Sequence, residues 1–148
     1  MKIIADKITV TFKAGEAIVD GDVVYISAAG EVKKAATANA PKVVGVADAA
    51  AAAGENVDVV VYGKKKVTAD GAIAVGDRLR AADTAGRVIA ENTTTSAGHT
   101  HTENTAAAYT QNATTASATD TIAQGRLLGK ALGAAAAGGA LEILVCLA

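Results

Sequence analysis

Near the start of the chain, Ile8, Val10 and Phe12 are interleaved with Thr9, Thr11 and Lys13. A period of two predicts a half-buried β-strand. Gly15-Glu16 predicts a turn, and Asp20-Gly21 a second one, ahead of a strand over Asp22-Val23-Val24-Tyr25-Ile26. Ala29-Gly30 turns the chain again into Glu31-Val32-Lys33-Lys34. Pro41, the only proline, is expected at a strand start, where its missing N–H does least harm. Val43-Val44-Gly45-Val46 is apolar without interruption and predicts a strand buried on both faces. The alanines over 49–53 favour helix by propensity, but so short a run cannot offset the cost of helix nucleation. They predict a tight connection with at most one helical turn. After Gly54, Val57, Val59 and Val61 alternate. Val67 to Ala69 reads as a further short strand, and Asp70-Gly71 as a turn.

The pattern then repeats. Lys42-Val43-Val44-Gly45-Val46-Ala47, alanines, Gly54 and Val57-Asp58-Val59-Val60-Val61 return as Arg126-Leu127-Leu128-Gly129-Lys130-Ala131, alanines, Gly138 and Leu141-Glu142-Ile143-Leu144-Val145, displaced by 84 residues throughout. Upstream, Ala17-Ile18-Val19-Asp20-Gly21-Asp22-Val23-Val24 matches Ala72-Ile73-Ala74-Val75-Gly76-Asp77-Arg78-Leu79 at a displacement of 55. A duplicated pattern of this kind points to a scaffold of two related β units. The expectation is one all-β domain over 1–148, a compact sandwich or small barrel. Repeat one covers about 17–62 and repeat two about 72–146.

The second copy is interrupted. From Ala90 to Thr121, 32 residues contain no Val, Leu, Ile, Met or Phe, no Lys or Arg, and Tyr109 as the only aromatic ring. With so little to bury, the segment cannot offset its own ordering entropy. It is expected to be a long surface loop or arm, ordered only where a partner holds it.

Composition narrows the function. Of the 148 residues 51% are hydrophobic, yet only 3% are aromatic and none is Trp. Small aliphatic side chains argue against an aromatic-lined ligand pocket and against stacking platforms for single-stranded nucleic acid. The net charge of −1, with Lys and Arg dispersed, gives no electrostatic footprint for duplex binding. The one cysteine, Cys146, rules out an intrachain disulfide and is expected in the core. Charges in Met1-Lys2-Ile3-Ile4-Ala5-Asp6-Lys7 disfavour a signal peptide, and no apolar run has membrane-spanning length. A protein that folds in the cytoplasm is expected, with no membrane or nucleic-acid partner and no cofactor.

Candidate chemistry is sparse. His99, His101 and Glu103 share one side of an extended chain, the arrangement two imidazoles and a carboxylate need to converge on a metal. No fourth ligand is evident, so they are read as solvated loop residues and no metal site is assigned. Lys64-Lys65-Lys66 is either a solvated strand edge that discourages sheet-to-sheet pairing or a contact for an acidic surface. Asp22 and Asp77 follow turn glycines and are expected to hydrogen-bond their own backbone. Gly54 and Gly138 are expected to supply positive φ or a tight approach. Gly138-Gly139-Ala140 lacks the Lys-Ser/Thr of a phosphate loop. No nucleophile, base and orienting group recur together, so no catalytic residue is assigned.

Ala-Ile-Val-Asp-Gly-Asp-Val-Val (17–24), Val-Val-Gly-Val-Ala (43–47), Ala-Gly-Glu-Asn-Val-Asp-Val (53–59), Gly-Ala-Ile-Ala-Val-Gly-Asp-Arg-Leu (71–79) and Gly-Arg-Leu-Leu-Gly-Lys-Ala-Leu (125–132), in this order, resemble the capsid cement, or head decoration, proteins of tailed bacteriophages. The resemblance covers roughly 17–90 and 122–145. It implies a β-sandwich or barrel on the capsid exterior, made in the host cytoplasm, that binds across junctions between major capsid subunits. It also implies a homo-oligomer, a trimer or a dimer, with no catalytic residues to transfer. Partner contacts are then expected at His99, His101, Tyr109, Lys64, Lys65 and Lys66. Two other readings remain open at this level: a surface β module gripping glycan or host surfaces through the Thr- and Asn-rich insertion, and a carrier domain with a modified lysine, which lacks the Met-Lys context.

Overall fold

A computed structural model of the chain describes residues 6–91 and 128–147. The fold is nearly all β. Strand β1 (Lys7–Ala14) leads through the turn at Gly15 to β2 (Val23–Ala28) and β3 (Glu31–Lys34). A short 3-10 turn (Thr37–Lys42) precedes β4 (Val43–Ala47) and the long β5 (Asn56–Thr68). The chain continues into β6 (Arg78–Ala81) and β7 (Val88–Ala90), and returns as β8 (Gly129–Ala131) and β9 (Ala140–Cys146).

Hydrogen bonding runs β1-β3-β2-β4-β5, and β5 pairs back onto β1, closing a five-stranded barrel. β1 and β3 are parallel; the other pairs in the ring are antiparallel. The second half of β5 continues past the barrel and pairs with β9, which leads to β8, β6 and β7. A parallel bridge from Ala69 to Val88 ties β7 back to the end of β5. Val67 and Thr68, expected with Ala69 as a separate strand, thus end the 13-residue β5, and Ala69 follows it.

The core follows the alternation of the sequence. Inside the barrel, Ala14, Ile18, Val24, Val32, Ala47, Ala51, Val57 and Val59 form one buried cluster. Ala69, Ile73, Leu79, Val88, Ala131, Leu141 and Ile143 belong to a second cluster, which also takes in Val23, Val43, Val46 and Val60 from the barrel wall. Side chains this small let strands approach closely. Gly45 pairs with Val24, and Gly129 with Leu79. A Cβ on Gly45 would strike the carbonyl oxygen of Val60, and one on Gly129 that of Leu144.

Residues of the two similar sequence phrases make like contacts. Ile18 bridges Ala51, and Ile73 bridges Ala135. The Asp22 carboxylate accepts from Val19 N at 2.8 Å, and the Asp77 carboxylate from Ala74 N at 2.9 Å, as expected of Asp in these turns. Gly54 and Gly138 stand at φ +88° and +78°, in open space.

Three local expectations need correction. Ile8 and Val10 are exposed, because no other segment among the described residues covers their side of β1. Pro41 lies inside the 3-10 turn, and β4 begins at Val43. The alanines over 49–53 form a tight connection without helix, as expected, in which Ala51 is held to Ile18 by two backbone hydrogen bonds of 2.9 and 3.0 Å. Cys146 is half-buried beside Tyr62 on the neighbouring strand, so it is not a core residue. Ala90 closes β7, and the rest of the polar insertion assigned to 90–121, apart from Glu91, lies outside the described residues. No helix among the described residues is long and apolar enough to cross a membrane.

Candidate functional site

The lysine run divides by strand alternation. Lys64 and Lys66 face outward on β5, whereas Lys65 turns to the other side. The run is not a sheet edge: Lys64, Lys65 and Lys66 pair with Leu144, Ile143 and Glu142 of β9. Lys65 reaches two carboxylates of the barrel's turns, with Nζ 2.5 Å from Asp20 Oδ1 and 3.0 Å from Asp48 Oδ1. Lys7 holds the other Asp48 oxygen at 2.6 Å. The turn signal at Asp20-Gly21 and the alanine tract after Asp48 thus place two acids over one half-buried lysine.

These contacts set the electrostatics. Hydrogen bonding from Lys7 draws the Asp48 carboxyl below the usual carboxylate range; burial opposes this, and Lys65 adds to it. Burial disfavours the charged form of Lys65, but its bonds to Asp20 and Asp48 prevail and raise its pKa. Asp22 moves the other way, raised chiefly by burial. Asp70 is lowered, first by hydrogen bonding from Thr84 and then by the Arg87 guanidinium 3.5 Å away. Each of these groups has a structural partner within the fold.

The exposed surface carries a signal that alternation alone did not reveal. Among the described residues, the exposed large hydrophobic side chains are Ile8, Val10, Val19, Ile26, Tyr62, Val75 and Leu132. Ile8 and Tyr62 are cross-strand partners on β1 and β5. Ile26 also borders a shallow groove of about 370 Å³ with Ser27, Ala28, Lys42, Val43 and Val44. It lies where β2 and β4 diverge beyond the Tyr25–Val43 pair. No group of three or more His, Cys, Asp or Glu suited to a metal ion occurs among the described residues. His99, His101, Glu103 and Tyr109 fall outside them.

The exterior of the barrel is thus partly apolar among the described residues. The family model of the phage cement protein matches residues 4–123, most of the chain. The chain belongs to the phage cement protein family. Among solved structures it is similar to the head fiber gp8.5 N base of bacteriophage phi29, at 16% sequence identity and a TM-score of 0.57. The alignment covers 93% of this chain and 92% of that one, and shows a shared fold. A comparison with curated proteins gave no match. As a cement-family member, the protein is a capsid-associated structural component of a phage virion. The resemblance noted from the sequence phrases is therefore correct at the level of the family.

Proposed function

We propose that the protein binds the exterior of the capsid across junctions between major capsid subunits and stabilises the mature shell. Membership of the cement family is the observation that carries this reading. A closed barrel with a core of interlocked Val and Ala side chains is a rigid body, suited to bridging a seam without deforming. A ligand that binds only the mature arrangement stabilises it by mass action, by about 2.7 kcal/mol per site at a hundred times its dissociation constant. Repetition over many junctions makes modest contacts sufficient. A homo-oligomer, with a trimer favoured over a dimer, adds avidity by gripping several subunits at once.

The contact residues proposed are Lys64 and Lys66 on the outer side of β5, with His99, His101 and Tyr109 of the polar insertion. Lys65 contributes indirectly, since its ammonium is bound to Asp20 and Asp48. The insertion is read as an arm that orders on the capsid. The test is co-sedimentation with mature capsids and with immature shells. Preferential binding to mature capsids, and a higher temperature of DNA release once bound, are expected. Equal binding to both shells, or no gain in thermal resistance, sinks the reading.

A further inference from the structure

The pairing circuit of β9, β8, β6 and β7 meets the barrel through a joint whose residues have counterparts 55 or 84 positions away. On one side of the joint stand Lys65, Gly63 and Ala81. Lys65 is held by Asp20 and Asp48. Gly63 is covered by Lys7, whose Cα would lie 2.6 Å from an added Cβ. Ala81 is fully buried in the cluster shared with the barrel wall. The counterparts of Lys65, Gly63 and Ala81 in the barrel are Val10, Ile8 and Ile26. All three are exposed, at 44%, 57% and 43%. The barrel thus presents its own version of the joint-forming face to solvent, in apolar form.

The other side of the joint behaves the same way. Asp20, Asp48 and Lys7 close over Lys65 and Gly63, and their counterparts in the second circuit are Val75, Leu132 and Tyr62. These too are exposed, Val75 at 68% and Leu132 at 41%. Of the seven exposed large hydrophobic side chains among the described residues, only Val19 has no counterpart in these contacts. The charged trio inside the chain is therefore replaced at both free ends by valine and leucine. A foreign partner would require an apolar change at one end only; a change matched at both ends fits one end of the molecule meeting the other.

We propose that copies of this chain associate head to tail, the Ile8–Val10–Ile26 face of one receiving the Val75–Leu132 rim of the next. The contact repeats the intrachain joint, with Val10 against Val75 and Leu132 where the chain itself sets Lys65 against Asp20 and Asp48. Such a heterologous contact closes into a ring when its rotation permits and otherwise extends as a chain. It concerns contacts between copies, and stands whether or not the capsid reading holds.

The experiment is native mass spectrometry and sedimentation velocity on the full chain. The wild type is expected to assemble. Val10→Lys alone, and the pair Val75→Asp with Leu132→Asp, are each expected to give monomers that melt within a few degrees of the wild type. Mixing the two variants is expected to restore assembly, because the unaltered Val10 face of the double-Asp variant meets the unaltered rim of the Val10→Lys variant, and the lysine meets two carboxylates as Lys65 does inside the chain. A monomeric wild type overturns the proposal. So does assembly that survives the paired Asp substitutions, as a symmetric pairing of two Val10 faces would, or a mixture that stays monomeric.

Discussion

Substituting Gly45 by alanine tests the packing that closes the barrel. The new Cβ would overlap the Val60 carbonyl oxygen and lie 2.9 Å from Val59 Cγ1. Neither neighbour can yield easily, because Val60 is the ladder partner of Val46 and Val59 is fully buried. Overpacking of a dense core costs roughly 1–3 kcal/mol, and a disturbed ladder hydrogen bond adds about 1 kcal/mol. The expected loss is therefore about 2–4 kcal/mol. At about 4 °C per kcal/mol for a domain of this size, Tm falls by about 8–16 °C. Gly54→Ala is the control. Its site is open and only the φ of +88° opposes a side chain, a cost of about 1–2 kcal/mol or about 4–8 °C. Gly129→Ala and Gly138→Ala should reproduce the same contrast, since Gly129 abuts the Leu144 carbonyl and Gly138 stands in open space at φ +78°. Thermal melting by circular dichroism, checked by urea unfolding, reads all four. If Gly45→Ala melts within about 2 °C of Gly54→Ala, the claim that close strand approach excludes a Cβ is wrong.

Four further outcomes are expected. Lys65→Ala removes the ammonium from Asp20 and leaves Asp48 to Lys7 alone, and should lower the urea-unfolding free energy by about 1–2 kcal/mol, whereas Lys64→Ala and Lys66→Ala should each change it by less than about 0.5 kcal/mol; equal effects at the three positions would contradict the geometry. The depressed Asp48 carboxyl stabilises the fold above the ordinary Asp range near pH 4, and that contribution is lost as pH falls through its lower folded-state value; Asp48→Asn should therefore flatten the acid limb of stability against pH, and an unchanged limb would refute the assignment. Lys64→Glu with Lys66→Glu should weaken capsid binding and its salt dependence while lowering Tm by no more than about 4 °C, the cost of a like charge opposite Glu142, and unchanged co-sedimentation would remove these residues from the contact set. Deleting 92–121 should spare folding of the barrel and reduce capsid occupancy; if the barrel unfolds, the reading of the insertion as an arm fails.

Strand positions, turns and family were legible in the sequence because each rests on short-range chemistry. Alternating Val57 and Val59 place a strand wherever they fold, and Gly54 marks positive φ because only glycine adopts it cheaply. Asp22 and Asp77 likewise bind backbone within three residues of themselves. The division of the lysine run was legible in principle, since a strand sends adjacent side chains to opposite faces.

Other features depended on where distant segments came to lie. Ile8 and Val10 have the same alternation as buried strand residues, yet they are exposed, because burial is decided by what covers a face. Lys65 looks like either neighbour until Asp20 and Asp48, 45 and 17 residues away, are brought over it. Local pattern determined which residues form strands and turns, since those preferences act over a few bonds. Barrel closure, the partners of Lys65 and the exposed apolar ends were decided only by tertiary structure, since they arise from contacts between segments whose separation along the chain carries no information about their distance in space.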